Sequence, residues 1–263
     1  MPSSTKLKEK VEQLKQSIDL IALDNVIESY DYATDIVLTS NNHFIEEKLW
    51  NRIENYGEGL CNYGRTLSLH LRRVSLDGRE FLMNELGFSA KAANNFQVAN
   101  LFHDLGKTHE SYARDIWNLP HRPTEKERTE KRLHTGFGTE IFLDAIKDLP
   151  KEVQEHPHLA IVVPALQLFH HERVDGKGYV GRQGHEMGKL IKALCIADCK
   201  DGDLVRRGHH VTQRTEKEAL LRMKGLDDYD TNSKYHGAFD DMLDTYIAYR
   251  EAQTGEEILP KTA

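Results

Sequence analysis

The sequence predicts an all-α protein. Three observations carry that reading: apolar residues recur at three- and four-residue steps through most of the 263 positions, alternating strand-like runs are nearly absent, and turn formers punctuate the periodic stretches. Leu7, Val11, Leu14, Ile18 and Ile21 step by four, three, four and three, and Ser3 or Ser4 stands ready to cap this first amphipathic helix. It is expected to pack on its own domain, with a short dimerising coil as the alternative. Asp24 to Leu38 and His43 to Tyr56 read as the next helices, with Ser40-Asn41-Asn42 as the break between them. From Leu60 onward, helices are expected at about 60–76, 78–86, 89–104, 124–147, 158–171, 186–199, 214–224 and 234–253. Leu119-Pro120-His121-Arg122-Pro123 and Asp175-Gly176-Lys177-Gly178 are the clearest loops. The expected organisation is a helical segment over 1–59 that packs on or dimerises the core, a main domain over 60–253, and a tail over 254–263.

Composition excludes several functions. A net charge of −7 and a pI near 6.1 argue against bulk nucleic-acid or anionic-membrane binding, while leaving room for a local basic pocket. Cys61, Cys195 and Cys199 form neither a disulfide framework nor a zinc ribbon, which fits a reduced, cytoplasmic setting. Cys195 and Cys199 flank Asp198 one helical turn apart, and buried thiols are the reading preferred over soft metal ligands. Met1 to Lys10 lacks an apolar signal core, and no run approaches the roughly 20 apolar residues of a membrane span. Asp227-Asp228-Tyr229-Asp230 resembles calcium chemistry but lacks the glycine and terminal glutamate of an EF-hand, so it reads as a solvated loop.

The chemistry sits in histidine and aspartate. With 14 His and 19 Asp, chance alone gives about one His-Asp pair, so His103-Asp104 is uninformative by itself. Its context is better: it ends the helix-like run Gln97 to Phe102, and Lys107 follows four residues later, where a continuing turn would aim an ammonium at a bound phosphate. His170-His171 ends the apolar run Leu159 to Phe169. Asp198 lies within Leu194-Cys195-Ile196-Ala197, where an unpaired carboxylate is costly and a cation or donors should await it. His134, taken alone, reads as a surface or hydrogen-bonded histidine, and the nine remaining histidines other than His70 have no comparable partners. Imidazole and carboxylate ligands suit iron, manganese, nickel or zinc, and two such ions can clamp both oxygens of an in-line phosphoryl displacement.

Taken in order, His70-Leu71-Arg72-Arg73-Val74, His103-Asp104-Leu105-Gly106-Lys107, His134-Thr135-Gly136, His170-His171-Glu172 with Asp175-Gly176-Lys177-Gly178-Tyr179, and Ala197-Asp198 with Asp201 resemble the HD-GYP branch of the HD-domain metal-dependent phosphohydrolases. The resemblance covers about residues 60 to 250 and implies an HD-domain helical bundle with additional N-terminal helices. It further implies that His70, His103, Asp104 and Asp198 hold one divalent ion and that His134, His170 and His171 hold a second, with Asp104 bridging. Iron or manganese leads as the metal, with nickel and zinc as alternatives. The implied activity is a cyclic dinucleotide phosphodiesterase, with cyclic di-GMP as first substrate and a metal-activated hydroxide as nucleophile. Lys107 is implied on the scissile phosphate, and Asp175, Tyr179 and Arg207 near the ligand.

Three departures accompany the match. Val180 stands where the signature has proline, freeing a backbone torsion, so the loop is expected to be mobile without ligand. Thr66 occupies the place of a glutamate found with three metals, which favours a binuclear centre. Arg207-Gly208-His209-His210 replaces the usual proline- and tyrosine-bearing segment. A phosphohydrolase of another nucleotide and a nucleotide-sensing or adaptor module that serves a signalling partner are the competing readings.

Overall fold

The computed structural model describes residues 5–56, 63–110, 112, 123–205, 213–226 and 235–259. Among them there is no β-strand, only one antiparallel bridge between Asp175 and Gln183. The elements are α1 (Thr5–Ser17), α2 (Leu23–Val26), α3 (Ile36–Glu54), α4 (Tyr63–Asn84), α5 (Ala90–Asn100), α6 (Glu125–Arg132), α7 (His134–Ile146), α8 (Lys151–Gln154), α9 (Val163–Phe169), α10 (Lys189–Leu204), α11 (Glu216–Lys224) and α12 (Asp241–Thr254). No helix among the described residues is long and apolar enough to cross a membrane. Arg207 and the Asp227–Asp230 run lie outside the described residues.

Several boundaries differ from the periodicity. Helix α1 stops at Ser17, so Ile18 and Leu20 enter the core from a turn while Ile21 is left 53 % exposed. The long helix expected from Asp24 shrinks to the single turn of α2, and α3 begins only at Ile36, where the Asp35 carboxylate accepts from the Val37 N–H at 2.9 Å. The expected break at Ser40-Asn41-Asn42 is absent. Leu38, Ile45, Leu49 and Ile53 are all buried along α3, and that packing overrides the weak helix propensity of serine and asparagine. Likewise α4 runs unbroken where two helices were expected, because Leu71, Val74, Phe81 and Leu82 bury along one stripe. Conversely, the stretch 124–147 divides at Leu133 into α6 and α7, and α12 starts at Asp241, later than expected.

One buried cluster runs from Val11 to Ile258, with Phe81, Phe96, Phe142, Phe169 and Tyr246 fully enclosed. Each such side chain contributes on the order of 1.5–3 kcal/mol by leaving water. Helix α1 lies on α7 and α9, and α4 lies between α5 and α10. The amino end of α10 is capped from a distance: Asp24 accepts from the Lys189 and Leu190 N–H groups, both at 2.9 Å. Partly buried charges between helices pair, Lys200 with Asp77 at 2.8 Å and Arg250 with both oxygens of Glu216 at 2.6 and 3.1 Å.

A wide turn at His158–Val162, in which the Val163 N–H reaches back five residues to the His158 carbonyl, leads into α9. It carries His158 into the core, where its Nδ1 lies 2.9 Å from the Tyr30 hydroxyl. Burial, with a smaller contribution from His156, pushes the His158 imidazolium down to about 3. The unfolded chain therefore binds the extra proton between the ordinary histidine value and about 3, and the stability present above pH 6.5 is lost as pH falls through that window. The slope is about 1.4 kcal/mol per pH unit. Urea unfolding of wild type and His158→Gln between pH 6.5 and 4.5 should show a flatter dependence in the variant, and parallel curves would remove His158 as the cause.

Candidate metal centre

Helix α5 ends at Asn100, and the chain turns through His103 and Asp104 into a short 3-10 turn, Leu105–Thr108. His103 and Asp104 therefore lie in the turn beyond the helix rather than within it. What holds this turn against α7 is the missing side chain of Gly106. A Cβ there would meet the His134 carbonyl oxygen at 1.8 Å and the Gly138 nitrogen at 2.5 Å, both backbone atoms. This close approach sets Asp104 beside His134, the first residue of α7. Helix α4 contributes His70, the end of α9 contributes His170 and His171, and α10 contributes Asp198.

Two groups of donors result, each with its ligand-type atoms within 4.8 Å of one another: His70, His103, Asp104 and Asp198, and Asp104, His134, His170 and His171. Asp104 belongs to both, and its two oxygens divide between them. Oδ2 lies 3.3 Å from His70 Nε2 and 3.7 Å from His103 Nε2, whereas Oδ1 lies 3.1 Å from His134 Nε2 and 3.4 Å from His170 Nε2. Asp198 Oδ1 closes the first group at 3.1 Å from His70 and 3.6 Å from His103, and its Oδ2 is 3.5 Å from His171 Nδ1. All seven sequence-predicted ligands thus meet in one place. No cysteine joins either group among the described residues, and Cys195 donates instead to the Phe169 carbonyl at 3.5 Å.

The outer nitrogens show that these groups fit a cation. His103 Nδ1 donates to the Asn100 carbonyl at 2.8 Å, His134 Nδ1 to Lys131 at 2.5 Å, and His170 Nδ1 to Gln167 at 2.9 Å. With the proton on Nδ1, each Nε2 directs a lone pair inward. His134 Nε2 and His170 Nε2 consequently face each other at 3.1 Å with Asp104 Oδ1 beside them, an arrangement that is repulsive unless positive charge lies between. His70 Nε2, His103 Nε2, Asp104 Oδ1 and His171 Nε2 are buried without a hydrogen bond.

Electrostatics point the same way. Burial raises the Asp104 carboxyl, but Lys107 and His103, with His134 and His170 close to its Oδ1, outweigh it and hold the group well below the carboxylate range. Burial would lower His70, yet the Asp104, Asp198 and Asp201 carboxylates push it up to about 10. Burial holds His134 down to about 4 despite Asp104, and it is the main cause of the low values of His103 and His171. His103, His134 and His171 are thus held neutral, while the carboxylates among them attract positive charge, as the proton on His70 shows.

The expected substrate contacts fare differently. Lys107 is buried with its Nζ against Asp104 Oδ2. Tyr179 lies over the His171 ring with centroids 4.5 Å apart. Asp175 is turned to the loop base instead, where Arg173 binds both its oxygens at 2.9 and 2.7 Å and the Lys177 N–H donates to it at 3.1 Å.

Other contributors carried no assigned role in the sequence. Asp201 Oδ2 accepts from His70 Nδ1 at 2.7 Å, and Arg73 binds both Asp201 oxygens at 2.6 and 2.9 Å. The three-residue steps from His70 to Arg73 and from Asp198 to Asp201 are the signal that could have exposed this relay. Arg132 places its guanidinium 5.5 Å from the Tyr179 ring centre, at the same end of the site.

Gly106 offers a test of the scaffold. Gly106→Ala should cost at least about 3 kcal/mol, since backbone rather than a yielding side chain blocks the new methyl. Urea unfolding that matches wild type would show that the 3-10 turn can leave α7 freely.

No model of a known protein family matches the sequence, and no curated protein matches it. Solved structures do. Bd1817 of Bdellovibrio bacteriovorus, described as an HDG"Y"P protein, matches with a TM-score of 0.52 at 16 % identity over 94 % of this chain and 69 % of its own. The HD domain of the L. monocytogenes phosphodiesterase PgpH matches with a TM-score of 0.46 at 17 % identity over 78 % of this chain and 98 % of its own. The same domain in complex with cyclic-di-AMP gives 0.44 at 16 % identity, over 81 % and 100 %. This chain therefore shares its helical fold with an HDG"Y"P protein.

Proposed function

We propose that the protein is a metal-dependent phosphodiesterase whose substrate is a cyclic dinucleotide, with cyclic di-GMP the first candidate on the strength of the motif resemblance. The observation that carries the chemistry is Asp104, a fully buried carboxylate whose two oxygens serve two separate groups of imidazoles. On this reading His70, His103, Asp104 and Asp198 hold one divalent ion, and Asp104, His134, His170 and His171 hold the other. Two such ions, when bound, supply Lewis acidity to the phosphoryl oxygens and acidify a water.

The protein's own groups do the rest. The Nδ1 bonds to Asp201, Asn100, Lys131 and Gln167 fix four imidazoles in the ligating tautomer. Lys107 supplies an ammonium beside Asp104, where charge on the phosphate would develop. Tyr179, with Arg132 beside it, offers an aromatic face to a nucleobase at the mouth. Asp175, engaged by Arg173, acts as a support of the loop rather than a ligand contact.

A hydrolysis screen tests the reading, with cyclic di-GMP, cyclic GMP-AMP, linear dinucleotides and mononucleotides offered to protein purified without oxygen and reloaded with manganese or iron. Cleavage of a cyclic dinucleotide is expected. Cleavage of mononucleotides alone would transfer the site to another nucleotide, and no cleavage with metals bound would leave a sensing module.

Two substitutions separate metal binding from chemistry. Asp104→Ala should abolish both metal retention by elemental analysis and hydrolysis. Lys107→Ala should keep about two ions per chain and lower turnover roughly 10²- to 10³-fold, the usual cost of one electrostatic contact to the reacting group. Loss of metal in Lys107→Ala would make Lys107 a structural partner of Asp104 alone.

A further inference from the structure

The loop that carries Tyr179 is not left loose by Val180. Its backbone wraps the buried carboxylate of Glu172, which accepts from the Val180, Gly181 and Arg182 N–H groups at 2.7, 2.9 and 2.5 Å. Gly178 fits against Glu172 because it has no side chain, since a Cβ would lie 2.6 Å from both Glu172 Cα and Oε1. Glu172 directly follows His171, so loop and metal-type ligands share one anchor.

The side chain of Arg182 leaves this loop and runs to the opposite end of the sequence. Its Nη2 donates to the Lys15 and Gln16 carbonyls at 2.9 and 3.4 Å, at the carboxyl end of α1, where a cation also meets the helix dipole. Nη1 binds Glu186 at 3.1 Å, and the guanidinium lies 5.8 Å from the centre of the Phe169 ring, immediately before His170. Helix α1 is seated on α7 and α9 through a narrow apolar stripe, Leu7, Val11 and Leu14. Val11 is its one buried residue, seated over Gly136 two positions after His134, and most of the helix surface is polar. Arg182 is therefore one of α1's firm attachments as well as the outer tie of the loop.

We infer that Arg182 is a positioning residue that ties the Tyr179 loop to α1, so that α1 sets how the loop covers the mouth of the site. The inference concerns geometry in the protein as it stands, and only its kinetic consequence rests on the phosphodiesterase reading. An α1 pulled from its seat releases the Nη2 end of Arg182, and the segment 178–183 keeps its bonds to Glu172 and Glu186 but loses its tie to the helix.

Hydrogen–deuterium exchange of the full chain tests this with Arg182→Leu, Arg182→Lys and Val11→Asp. Arg182→Leu should speed exchange in 178–183 about tenfold, the effect of losing one charge-assisted bond. Val11→Asp, which unseats α1 without touching the loop, should do the same, and the double variant should exchange no faster than the faster single variant. Arg182→Lys should recover part of the protection. Metal content should stay at the wild-type value, and with cyclic di-GMP as probe KM should rise while kcat changes little. Unaltered loop exchange in Arg182→Leu overturns the inference, and so does faster exchange in Val11→Asp confined to α1. If Arg182→Leu fails to fold, Val11→Asp and Arg182→Lys decide. The exchange result needs no turnover, so a wild type that cleaves nothing but shows the coupled loop would remove only the phosphodiesterase reading.

Discussion

A carboxylate with no exposure to water and imidazole nitrogens at both of its oxygens is the constraint on which this structure depends. Taking Asp104 out of water costs several kcal/mol, and the neighbours that approach Oδ1 are lone-pair-bearing nitrogens whose protons are given to backbone carbonyls on their far side. Lys107 relieves part of that cost at Oδ2. The high value of His70 relieves another part, as three carboxylates draw a proton onto it. Nothing among the described contacts relieves the face-to-face pair of His134 and His170. Such a centre is built for more positive charge than the protein's own side chains provide.

The scaffold meets that demand by bringing five chain segments to one point. Gly106 lets the turn bearing Asp104 press on the backbone of α7. The Arg73–Asp201–His70 relay ties α4 to α10, and Asp24 caps α10 from the N-terminal segment. The relay and the cap are polar and directional, and both join helices that the apolar cluster packs together. The packed core and the His/Asp centre thus depend on each other: the core sets the distances, and the ties choose which nitrogen of each ring faces inward.

The candidate ligand set was legible because its residues violate their surroundings. Asp198 within Leu194 to Ala197, and His170-His171 at the end of an apolar run, are costly unless paired, and the ordered spacing of the motifs then gave the HD-domain fold. Helix boundaries were less legible, since α3 passes through Ser40-Asn41-Asn42 on the strength of Leu38, Ile45 and Leu49, which no local window weighs. The engagement of Asp175 by Arg173, two residues earlier, was not legible, because adjacent charges in a loop do not reveal whether they pair. The loop was expected to be mobile from one missing proline, but Glu172 supplies three acceptor contacts that replace the lost torsional constraint. Arg182 and Lys15 are 167 residues apart, and no sequence pattern links them.

The most direct test of the shared carboxylate is the magnetic coupling between two ions bound to it. Electron paramagnetic resonance of the manganese-reloaded protein should show an exchange-coupled pair, as expected for ions roughly 3.5–4 Å apart with a bridging group. Replacing Asp104 with alanine should abolish that signal. Two uncoupled manganese spectra, or a coupled spectrum that survives without Asp104, would contradict the account.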